Sequence, residues 1–92
     1  MTHEELFWLA IRMMMENAPD RIFYRVPELR EMLESTGIEW GAGEIDSLIK
    51  KARDSERIQL HTGDVTCMTV EQARKRFTDE NGFTFGTFRV VA

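Results

Sequence analysis

VPELREMLESTGIEWGAGEIDSLIKKARDSERIQL, residues Val26 to Leu60, is the stretch that decides the fold. Pro27 stands where a helix can start without losing a needed N–H, and Glu28 follows in its first turn, where the helix dipole favours a negative charge. Leu29, Met32 and Leu33 then share one face, and Gly37 is a natural stop. The spacing predicts a helix from Pro27 to about Ser35. A second helix opens near Ala42 or Gly43 and runs to about Ser55. Its Ile45, Leu48, Ile49 and Ala52 fall at i, i+3, i+4 and i+7, the signature of one buried face. Ile58 and Leu60 change the period to two, which predicts a short strand from Ile58 to His61.

Upstream, residues 3 to about 17 read as a helix with Thr2 and Glu5 as a capping box, ended by Pro19 and Asp20. Only Glu5, Arg12 and Glu16 form a polar stripe on it. The remainder from Leu6 to Met15 is apolar over a wider arc than an ordinary surface helix shows. Its core face centres on Phe7, Ala10, Ile11 and Met14. Ile22 to Val26 is rich in aromatic and β-branched residues and reads as a short strand. Downstream, Thr62 to Asp64 is a turn. Thr69 to Gln72 repeats the capping-box pattern and opens a short helix expected to bury Val70, Ala73 and Phe77. Asp79 to Gly82 is a turn, and Phe83 to Val91 alternates as a strand with Gly86 as a bulge. No internal repeat or low-complexity linker interrupts this order.

The order is helix, strand, helix, turn, helix, strand, excursion, strand. It resembles the winged-helix superfamily, a variant of the helix-turn-helix. Val26 to Leu29 resembles the entry to the second helix, Gly37 its tight turn, Ile45 to Arg53 the third helix, and Ile58 to Leu60 the strand that enters the wing. The resemblance covers about residues 3 to 61 and the last strand, and it is a pattern of apolar spacing rather than an invariant motif. It implies a single α+β domain over residues 1–92, with three main helices and a small antiparallel sheet. One departure is plain: residues 62 to 82 insert a short helix where a wing is ordinarily a short hairpin.

Winged-helix proteins that bind DNA place the third helix in the major groove, so the resemblance implies a DNA-binding accessory or transcription regulator. The outward face of that helix carries Gly43, Ser47, Lys50 and Asp54. It lacks the Arg, Asn or Gln that supply most bidentate base contacts in its first two turns. Duplex contact would therefore be mainly to phosphates, through Ser47, Lys50, Lys51, Arg53 and Arg57, with Arg74, Lys75 and Arg76 in the wing position and Arg89 near them. The alternative is a winged-helix protein-interaction module without DNA binding, of the kind a small acidic phage-type inhibitor or adaptor would be. Charge bears on the choice. The chain has a net charge of −4. Residues 1–49 hold four arginines and no lysine against ten acids, whereas residues 50–92 hold eight basic residues against six acids. An acidic first half suits a basic partner, and a basic second half suits phosphates. Gly41, Ala42, Gly43 and Ser47 would let either kind of partner come close. Trp40 reads as a packing residue.

The apolar excess on the first helix leaves Trp8 and Met15 on one flank, a composition enriched at interface cores, and so predicts a two-fold dimer through that helix. The competing expectation is that the last strand or the inserted helix covers this flank. Catalysis has no support. His3, His61 and Cys67 have no metal-ligand spacing, Gly41 to Gly43 lacks the lysine of a phosphate loop, and no nucleophile–base set can be assembled. No catalytic residue, metal or cofactor is expected. The single cysteine, read as a buried or half-buried thiol, cannot form an internal disulfide. The amino terminus has no basic, apolar leader and no apolar run is long enough to span a membrane, so a cytoplasmic protein is expected.

Overall fold

The computed structural model describes residues 1–63 and 68–91. Thr2 caps the first helix as its pattern predicts: its hydroxyl accepts from the Glu5 N–H at 3.1 Å and the Glu5 carboxylate accepts from the Thr2 N–H at 3.2 Å. The elements are α1 (His3–Asn17), β1 (Tyr24–Arg25), α2 (Val26–Glu34), α3 (Glu44–Asp54), β2 (Ile58–His61), α4 (Val70–Arg74), β3 (Phe77–Thr78), β4 (Thr84–Phe85) and β5 (Thr87–Val90). The domain is α+β, with four helices, a three-stranded antiparallel sheet and a two-stranded one. Its layout is compatible with a winged-helix-like arrangement in which α4 and a hairpin occupy the wing position.

The sheet runs in the order β1-β5-β2, so the last strand is central. Tyr24 pairs with Phe88, and Phe88 with Leu60, which places all three on the inner face. That face closes on Phe7, Ala10, Ile11 and Met14 of α1, Leu29 and Leu33 of α2, and Ile45, Ile49 and Ala52 of α3. The predicted core faces of the three helices are thus the observed ones. Arg25, Thr87 and His61 alternate with these residues and fall on the outer face.

α3 ends at a backbone turn rather than at a glycine. The Arg57 N–H reaches back to the Ala52 carbonyl at 3.0 Å, and Glu56 takes a left-handed φ of 60° to allow it. A side chain in that region is strained, and only glycine enters it freely. Glu56→Gly is therefore expected to raise stability by about 0.5–1 kcal/mol, read as a higher denaturant midpoint at constant slope. A loss of stability would show that the Glu56 side chain holds something of its own.

The excursion departs from expectation in two ways. α4 stops at Arg74, so Phe77 is buried not on a helix but in β3, opposite Phe85. Val70, expected inside, is 70% exposed. The helix is too short to bury a face, and the hairpin β3–β4 does the burying instead. The last strand is also two strands, β4 and β5, separated at Gly86. The Gly86 carbonyl accepts from the Val26 N–H at 2.9 Å, and its own N–H donates to the Thr62 carbonyl at 3.2 Å. A Cβ there would lie 3.1 Å from that carbonyl, a tight contact, so the close approach of two backbones favours glycine. The expectations for Cys67 and for the turn at Asp64 fall outside the described residues.

Candidate interaction surface

α3 turns Ser47, Lys50, Lys51 and Asp54 to solvent, as its periodicity requires. Its two flanks are walled by carboxylates. On one side, the first turn of α1 straps across it: His3 Nδ1 donates to Glu44 Oε2 at 2.6 Å, and Lys51 Nζ reaches Glu4 Oε2 at 2.7 Å. His3 also lies against Trp40, with ring centroids 4.6 Å apart, and Trp40 donates its indole N–H to the Leu33 carbonyl at 3.1 Å. Trp40 is a packing residue that holds the connector between α2 and α3. Glu44 accepts from the Gly41 N–H at 2.9 Å, and this bond, aided by His3, holds its carboxyl below the ordinary value of 4.5. A carboxyl shifted in that direction contributes its stabilisation above pH 4.5 and loses it as the pH falls through the depressed value.

On the other side of α3 lies the β3–β4 turn. Arg53 bonds Asp54 at 2.9 Å and Glu80 at 3.1 Å, and stands 3.9 Å from Asp79. Glu80 is held below its usual acidity range by its own backbone N–H first, then by Arg53, with a smaller share from nearby Lys50. Arg53 thus clamps the turn. A second clamp comes from α2. Arg30 donates from Nε to the Lys75 carbonyl at 2.5 Å and from Nη2 to the Arg76 carbonyl at 3.3 Å, and it pairs with Asp46 of α3. Its side chain is only 13% exposed.

The basic cluster of the excursion is likewise divided. Lys75 pairs with Glu34 at 3.3 Å, and Arg76 Nε donates to the Ala73 carbonyl at 2.7 Å. Arg74 is exposed with no carboxylate within ion-pair distance among the described residues, and Lys50 is the same on α3. Arg57 lies over the Trp8 ring, its guanidinium carbon 3.6 Å from the centroid. Trp8 is half-buried beneath it, so α1's flank is covered there within one chain, whereas Met15 is 38% exposed. Of the cations drawn together from the sequence, Lys51 meets Glu4, Arg53 meets Asp54 and Glu80, and Lys75 meets Glu34.

Two features have no counterpart in the sequence reading. Arg30 looks like one more surface charge of α2, yet it ties α2, α3 and the excursion. The outer sheet face carries Arg25, Arg89, Gln59 and His61, with the Phe23 and His61 rings edge to face at 4.8 Å across the central strand. Alternation along the strands was the signal for that face. Among the described residues, no three His, Cys, Asp or Glu side chains group as a metal site would need, and no helix is long and apolar enough to cross a membrane.

The fold class is therefore α+β, in a layout compatible with a winged-helix-like one, and on its surface Lys51, Arg53 and Lys75 are matched with carboxylates within the chain. Comparison with protein-family models, with curated proteins and with solved structures returns no match.

Proposed function

We propose that this chain is a winged-helix-like protein-interaction module, not an enzyme, whose third helix serves the fold and a protein partner rather than a DNA groove. The observation that carries this reading is the pairing on α3. Lys51 and Arg53 each meet a carboxylate of another element, and Glu4, Asp54 and Glu80 line the rim that a phosphate track would approach. A duplex would have to displace these anions or tolerate them, and like charge at contact opposes binding. Protein surfaces with mixed, matched charge suit partners that are themselves mixed.

Duplex binding is the second reading. It is favoured by Lys50 and Arg74, both exposed and free of ion pairs among the described residues, and by the wing position of α4. It would be a small accessory or transcription-regulating activity in the cytoplasm, made through phosphates and with little base preference. A titration of labelled duplexes separates the two. The protein-partner reading expects no saturable binding at about 50 mM salt, a condition that strengthens any phosphate contact. Binding with a steep salt slope, abolished by Lys50→Glu with Arg74→Glu, would establish the duplex reading in its place.

A further inference from the structure

β1 is two residues long, whereas β5 continues past it, so Arg89 and Val90 have β2 on one side and no strand on the other. The ladder fixes which backbone groups are left open. Val91 N–H bonds the Arg57 carbonyl, which continues the β2 register, so within β5 odd residues face β2 and even ones face β1. The N–H and C=O of Val90 therefore point to the side where β1 has ended. A hollow of about 280 Å³ lies there, walled by Met15, Ile22, Tyr24 and Val90, with Arg21 and Arg89 in its lining. Ile22 is 64% exposed and Met15 38%, both large apolar side chains with nothing over them. Four other hollows on this acidic chain each include at least one glutamate or aspartate in their lining, and this one includes none.

We propose that this hollow at the end of β1 receives an extended acidic peptide segment of a protein partner, carrying one large apolar side chain. The inference rests on the protein-partner reading and names the chemistry of the partner. The apolar side chain enters between Met15 and Ile22. The segment's backbone takes up the open N–H and C=O of Val90, as in strand addition to a sheet edge. Its carboxylates meet Arg89, and Arg21, which bonds Glu28 only at 3.4 Å from an exposed position. A nucleic acid is the poorer occupant. Among the described residues the aromatic ring in the lining is that of Tyr24, which is buried at 4% exposure and donates its hydroxyl to the Ala18 carbonyl, so no base can stack on it.

The test is fluorescence anisotropy on the full chain with the labelled octapeptide DEELFEDE at low salt. The expected dissociation constant is on the order of 100 μM, as suits a contact well below standard interface size. Replacing the central Leu-Phe of the peptide by Ser-Ser, or the protein residues by Arg89→Glu or Ile22→Glu, should each weaken binding about fivefold or more. Arg89 and Ile22 are exposed, and circular dichroism confirms that the variants fold. Absence of binding up to about 1 mM overturns the proposal, since even weak specific contacts are visible there. So does equal affinity for the Ser-Ser peptide, or tighter binding of an oligothymidylate that Arg89→Glu abolishes. A dimer by light scattering that Met15→Glu dissociates would show that a second copy fills the hollow, and would also overturn it. Peptide failure without duplex binding removes this hollow alone. Duplex binding removes the protein-partner reading itself.

Discussion

Phe88→Ala is expected to cost about 3–5 kcal/mol, the range for emptying a buried aromatic site. Phe88 is 1% exposed at the centre of the central strand. Its neighbours are Tyr24 across one ladder and Leu60 across the other, and its ring centroid is 5.9 Å from that of Tyr24. A domain of this size has a total stability of roughly 5–15 kcal/mol, so the variant would lose a large fraction of it. Each kcal/mol moves the midpoint of a small domain by about 4–8 °C, and a fall of at least about 12 °C should be seen by calorimetry. Arg89→Ala, one residue along and on the outer face, supplies the contrast and should stay within about 0.5 kcal/mol. A Phe88→Ala loss below about 1 kcal/mol would mean that β5 does not run through the centre of the core.

The elements that sequence reading located are those whose burial is local. α1, α3 and β2 each repeat a short apolar period, and the capping boxes at Thr2 and Thr69 lie within three residues of their partners. Such features need no knowledge of the rest of the chain. The hairpin β3–β4 was legible in its turn at Asp79 to Gly82 and in the strand after it, but not in β3. Its strands are two residues each, too short for a period, and Phe77 sits seven residues after Val70, where a helix would also put an apolar residue. The pairing of charges was illegible for a related reason. Arg53 meets Glu80 and Lys51 meets Glu4 across 27 and 47 residues of sequence. From composition alone each arginine and lysine counts as available to a phosphate, and only the folded geometry pairs them. Gly86 is the intermediate case. An interruption of an alternating run by glycine was visible as a bulge, but the close Thr62 carbonyl that favours glycine was not.

Arg30 is where that non-local chemistry should have its largest effect on stability. Arg30→Met keeps the aliphatic stem and removes the guanidinium, so the lost contacts are those to Asp46, Lys75 and Arg76 and not the packing of the side chain. Hydrogen bonds to charged groups are worth about 1.5–3 kcal/mol each and are not additive, and Asp46 can return to water from its half-exposed position. A total loss of about 2–3 kcal/mol follows, carried mainly by the two carbonyls left without a donor. The location of the loss matters more than its size. Arg30 joins α2 to the start of the hairpin, whereas the core of α1, α2 and the sheet is closed by apolar contacts that do not involve it. Hydrogen exchange should therefore show lowered protection at Phe77, Thr78, Thr84 and Phe85, with α1 and the β2–β5 ladder nearly unchanged. Arg30→Lys should recover only part of the effect, because an ammonium at the end of a flexible stem cannot reproduce the planar fork that serves three acceptors at once. Pairing Arg30→Met with Asp46→Ala in a double-mutant cycle isolates the carboxylate contact from the two carbonyls. Uniform deprotection across the whole chain would refute the clamp and place Arg30 among the residues on which the entire core depends.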